Sequence, residues 1–131
     1  MAEEYVLRFF SYLENHQIFE HSVKGFLNDY MKQQAPKKLP TSKLNLFKQT
    51  FSLLAAAYPN GITRGQSSTT PVNLYEALAV GTALALQQGK QIDPKKLGRL
   101  TQNAELKKIT TGATNSRKMV LARINFVRDF L

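Results

Sequence analysis

The 131-residue chain contains no cysteine. That excludes disulfides, thiolate nucleophiles and cysteine-based zinc sites, and it suits a reducing, cytoplasmic setting. Histidine is nearly absent as well. His16 and His21 fall at the end of the first helical segment and in its connection, near Glu14, Glu20 and Asp29. Their spacing matches no metal-ligand motif, so they read as solvated loop histidines, and neither a metal nor a cofactor is expected. No apolar run reaches the roughly 18 residues of a membrane span. The opening MAEEYVLRFF lacks a basic n-region and a cleavage site. A membrane partner and a signal peptide are therefore not expected. Nor does any spacing suggest a Ser/His/Asp triad, a zinc finger, an RRM or a recognition helix, so no catalytic residue is nominated.

Acid is scarce beyond the first quarter of the chain. Residues 1–31 hold five acids against two bases, but residues 32–131 hold four acids against sixteen bases. The net charge is +9. Between Asp29 and Glu76 no acid occurs, while Lys32, Lys37, Lys38, Lys43, Lys48 and Arg64 do. A second basic region holds Lys95, Lys96, Arg99, Lys107 and Lys108, and a third pair, Arg117 and Lys118, opens the last helix. Such a field favours nucleic acid or another acidic partner; solubilising surface lysine is the plainer reading.

What the chain has in quantity is helical periodicity. Apolar residues recur at three and four, and hydrophobic residues make up 43%, so an all-α domain with one core is expected. The first helix covers about 3–14, with Tyr5, Val6, Phe9 and Leu13 on one face and Glu4 and Arg8 on the other. Glu3 and Glu4 suit the positive end of that helix. The second covers about 23–34, capped by Ser22 and striped by Val23, Phe26, Leu27 and Tyr30. QAPKKLP then breaks the helix. The third runs from near Ser42 to Ala57, burying Leu46, Phe47, Phe51 and Leu54. After the loop YPNGITRGQSSTTP, Pro71 is the first residue of a fourth helix that ends at Gly89. Over 72–88 it is apolar nearly all round, so it should be the central element of a bundle of about five to six helices. Gly81 on it would let a neighbour approach closely. Asp93-Pro94 starts a short helix over about 94–101, a weaker one follows at 103–109, and the last begins near Asn115. The aromatic residues lie on the apolar stripes and so read as core.

The stretch TTGATNSRKM precedes that last helix. Exposed N–H groups beside Arg117 and Lys118 resemble an anion-binding turn, yet the spacing of a phosphate loop is missing. Helix capping by Thr114 or Asn115 after a bend at Gly112 is the alternative. Farther along, Arg123 projects into the apolar arc of Val120, Ile124, Val127 and Leu131. A guanidinium there needs a partner or a path to water. Glu76, the one acid between Asp29 and Asp93, is the candidate partner across two helices; a snorkelling Arg123 is the other option.

Four segments, EEYVLRFFSYLEN, VKGFLNDYM, VNLYEALAVG and TGATNSRKMVLARI, resemble in this order the helical C-terminal half of the domain-of-unknown-function family 262. These are ParB-like proteins associated with modification-dependent restriction. The resemblance covers almost the whole chain. It implies an isolated helical fragment or stand-alone version of a larger protein, whose partner would be a ParB-like N-terminal domain. It also marks Arg8, Glu76, Asn115 and Arg123 as polar signature positions. The Asp-Gly-Gln-Gln-Arg-type motif of the ParB-like half does not occur here, so no catalytic residue carries over. Three functions compete: a non-catalytic module of a DNA-targeting defence protein with a basic face toward DNA, a purely structural protein–protein module prone to self-association, and an independent enzyme.

Overall fold

The computed structural model describes residues 2–20, 22–34, 40–62, 71–111 and 116–131. Every regular element among them is helical: α1 (Ala2–Asn15), α2 (Val23–Gln34), α3 (Thr41–Ala57), α4 (Val72–Gln87), α5 (Pro94–Gly98), α6 (Ala104–Thr110) and α7 (Arg117–Phe130). Two 3₁₀ turns, His16–Ile18 and Leu100–Gln102, extend α1 and α5. Among the described residues there are seven α-helices, because the two pieces expected at about 94–101 and 103–109 both form. The segment 94–110 divides because Asn103 caps a fresh helix, its side chain accepting from the Leu106 N–H at 3.0 Å.

α4 is the centre. It packs against α1, α3, α6 and α7. From Leu74 to Ala83 every residue is buried. Alanines at 77, 79, 83 and 85 keep the helix thin, so neighbours can lie close on several sides while Leu74, Leu78 and Val80 fill the gaps. Gly81 meets α7 directly: a Cβ built on it would lie 2.5 Å from the Cβ of Val127. The helix stops at Gly89, whose φ of 81° suits glycine. Gly89 N–H donates to Leu86 O and Lys90 N–H to Ala85 O, the paired bonds of a Schellman ending. At the other end Pro71 is the cap itself, with extended backbone, and Val72 is the first helical residue.

Aromatic rings join α1 to its neighbours. Phe9 packs edge-on against Phe47 and Phe51 of α3. Tyr12 meets Phe19 and Phe26, which closes α2 over α1. On α3 only Leu54 of the expected set is fully buried; Leu46, Phe47 and Phe51 are half-buried beside the core. Ser22 caps α2, its hydroxyl accepting from Gly25 N–H. The last helix is capped by Ser116, which accepts from Met119 N–H at 3.3 Å. Thr114 and Asn115, the expected caps, and Gly112 lie outside the described residues. So do His21, Lys37, Lys38, Arg64 and the side chains of Glu3 and Glu4.

Candidate functional site

Two places concentrate charge, and they differ in kind. The first is buried. Arg123 of α7 and Glu76 of α4 are both fully shielded from solvent, and the Arg123 guanidinium donates to Glu76 Oε2 at 2.9 Å. The other carboxylate oxygen, Oε1, accepts from Arg8 of α1. One carboxylate therefore ties three helices together. Arg8 is on the inward side of α1, contrary to the expected outer face, while Val6, placed on the apolar face, is 39% exposed. More than a full turn of α1, Phe9 through Leu13, is buried, because α1 touches both α2 and α4. The Tyr12 and Tyr75 hydroxyls near this cluster are held protonated, first by burial and then by the negative charge of Glu76. Tyr75 donates to the Tyr5 carbonyl at 2.6 Å. Each buried charge has an opposite charge in direct contact, which is the arrangement of a structural clamp.

His16 also departs from its expected role. It is buried, not solvated, and its Nδ1 lies 2.7 Å from the Tyr12 carbonyl. That carbonyl only accepts, so Nδ1 carries the proton. Burial, more than any neighbour, pushes its pKa below the ordinary 6.5. The unfolded chain then takes up a proton at a higher pH than the folded one. This contribution to stability is complete above about pH 6.5 and declines as the pH falls from there toward the lowered folded pKa. Urea midpoints measured between pH 8 and 5 should fall more steeply for the wild type than for His16→Gln. Parallel curves would remove His16 from the account.

The second place is on the surface, along α5 and α6. In PKKLG the apolar Leu97 turns fully inward, and Leu100 follows in the 3₁₀ turn. That orientation leaves Lys95, Lys96 and Arg99 exposed. In AELKKIT, Leu106 and Thr110 are buried, so Lys107 and Lys108 point out. The Asp93 carboxylate caps α5 by accepting from Lys95 N–H at 2.9 Å. Lys96 lies 5.3 Å from the centre of the Phe130 ring, which places this stretch beside the end of α7. Lys90 donates to the Arg128 carbonyl at the same end. The remaining expected contacts divide. Lys118 is exposed. Arg117 donates to the Phe19 carbonyl at 2.8 Å, stitching α7 to the chain after α1. Lys43 is engaged with Glu14 at 2.7 Å, and Glu14 also accepts from the Tyr30 hydroxyl. Sequence reasoning missed Arg8 as a partner of Glu76; its signal was a cation flanked by Leu7, Phe9 and Phe10.

Among the described residues no group of three or more His, Asp or Glu side chains could hold a metal ion, and no helix is long and apolar enough to cross a membrane. No family model, curated protein or solved structure matches the chain.

Proposed function

We propose that the chain is a non-catalytic helical module that contacts nucleic acid through the exposed cations of α5 and α6. It works beside a ParB-like domain in a DNA-targeting defence protein. The observation that carries the nucleic-acid reading is the division of charge. The cations at 8 and 123 are turned inward onto one carboxylate, whereas Lys95, Lys96, Arg99, Lys107 and Lys108 are all exposed within one run of short helices. Short helices with capped starts hold such side chains at fixed spacing without a groove-filling element. That arrangement suits phosphate contacts, which carry affinity and no sequence information. The ParB-like partner and the defence setting rest on the resemblance of the four segments named above.

A triple variant, Lys95→Glu/Lys96→Glu/Arg99→Glu, tests the reading. It leaves the buried clamp untouched, so the fold should persist by circular dichroism. Affinity for a mixed-sequence duplex should drop roughly 10-fold or more at moderate salt. Unchanged affinity would move the contact elsewhere or remove it.

A second reading, a module that docks another protein, is favoured by the exposure of Ile18 at 66% and Met31 at 52%. Sedimentation of the chain alone would show self-association under that reading.

A further inference from the structure

The residue pattern places Phe126 and Phe130 with the core, yet the structure does not bury them. Both rest against the core and are only half-buried, whereas Phe9 and Phe19 are completely shielded. They stand one turn apart on α7 with their rings stacked, the centroids 6.2 Å apart and the planes 20° apart. The Lys96 ammonium of α5 sits over the Phe130 ring, and Lys96 is itself exposed. One side of that ring is therefore covered by a flexible, solvent-facing side chain and not by a packed helix. Lys95 and Arg99 are exposed in the same run. The acids nearest in sequence are engaged: the Asp93 carboxylate caps α5, and Asp129 is paired with Arg128.

We infer that this α5–α7 face binds unpaired nucleotides, with a base stacked on Phe130 and the neighbouring phosphates held by Lys95, Lys96 and Arg99. Magnitudes decide the exchange on the ring. An exposed ammonium over an aromatic ring gains about a two- to fivefold factor in equilibrium constant. A base stacked on an aromatic side chain gains about five- to 150-fold. The base therefore displaces Lys96, and the ammonium recovers its contact on a phosphate. A base inside a duplex is paired and stacked already and does not reach the ring, so a duplex meets only the cations through its phosphates. The inference rests on the nucleic-acid reading above and names the class of ligand.

The test is fluorescence anisotropy with a labelled thymine single strand and a labelled abasic strand of the same length, which keeps the phosphates and lacks the bases. The wild type should bind the thymine strand roughly tenfold more tightly than the abasic one. Phe130→Leu should bring the two strands to nearly equal affinity. Phe130→Tyr, which keeps a ring, should preserve the difference. Circular dichroism checks that both variants fold, and the wild-type comparison decides the matter without them. Equal wild-type affinity for the two strands overturns the stacking site and leaves the phosphate contacts standing. A folded Phe130→Leu protein that still separates the strands by tenfold also overturns it. Binding of neither strand removes the nucleic-acid reading and the stacking site together.

Discussion

Glu76→Ala is expected to destabilise the fold by about 3–5 kcal/mol, the usual result of removing one member of a buried ion cluster. The loss is large because Glu76 and Arg123 are fully buried and Arg8 is 14% exposed. Without the carboxylate, the Arg8 and Arg123 guanidiniums lose the one charge that both of them contact. Small domains have about 5–15 kcal/mol in total, so the variant should melt on the order of 10 °C or more below the wild type. The cluster is nevertheless not the cheapest way to stabilise the centre, since its desolvation offsets much of its attraction. A triple replacement, Arg8→Met/Glu76→Leu/Arg123→Met, should therefore recover most of the loss. Thermal melts of the three proteins check both statements. A Glu76→Ala protein within about 0.5 kcal/mol of wild type, the range of an ordinary surface change, would mean that the clamp is not what joins α1, α4 and α7.

Gly81→Ala should also destabilise, although alanine is the better helix former by about 1 kcal/mol. The new methyl would sit 2.5 Å from Val127 Cβ, 2.7 Å from its Cγ1 and 3.0 Å from the Ile124 carbonyl oxygen. α7 would have to move away from α4, and overpacking of this kind typically costs about 1–3 kcal/mol. The move would stretch the contact between Glu76 and Arg123, so the two sites are coupled through one interface. Gly81→Leu should prevent native docking of α7 altogether. Val127→Gly removes both side-chain atoms that the new methyl would meet, so the Gly81→Ala/Val127→Gly protein should be more stable than the sum of its single changes implies, by about 0.5–3 kcal/mol. Simple additivity in denaturant melts would contradict the close approach.

The architecture was largely legible in the residue pattern, and the reasons are specific. α4 reads as central because Leu74, Leu78, Val80 and Leu84 make it apolar nearly all round, and Gly81 reads as a point of close approach on so apolar a helix. Glu76 reads as a partner for Arg123 because it is the one acid available in a long basic stretch. Arg8 does not read that way. A single apolar stripe on α1 places Arg8 outside, but a helix packed on two sides buries a wider arc than one stripe can describe. His16 was equally opaque, since a 3₁₀ turn tucked against α7 has no sequence signature. At the start of α7, Thr114, Asn115 and Ser116 are three successive residues that all make good caps, and composition alone does not choose among them. The exposure of the basic run follows from Leu97, Leu100 and Leu106, which dictate the opposite face. What that face meets is chemistry between molecules, and periodicity within one chain does not encode it.

The most direct measurement is fluorescence anisotropy of a labelled mixed-sequence duplex, titrated with the wild-type chain at salt concentrations from about 50 to 200 mM. Contact with roughly four phosphates predicts a loss of affinity on the order of 100-fold across that range. Absence of binding at the lowest salt would contradict the nucleic-acid reading and leave the +9 charge as a solubilising surface on a helical scaffold.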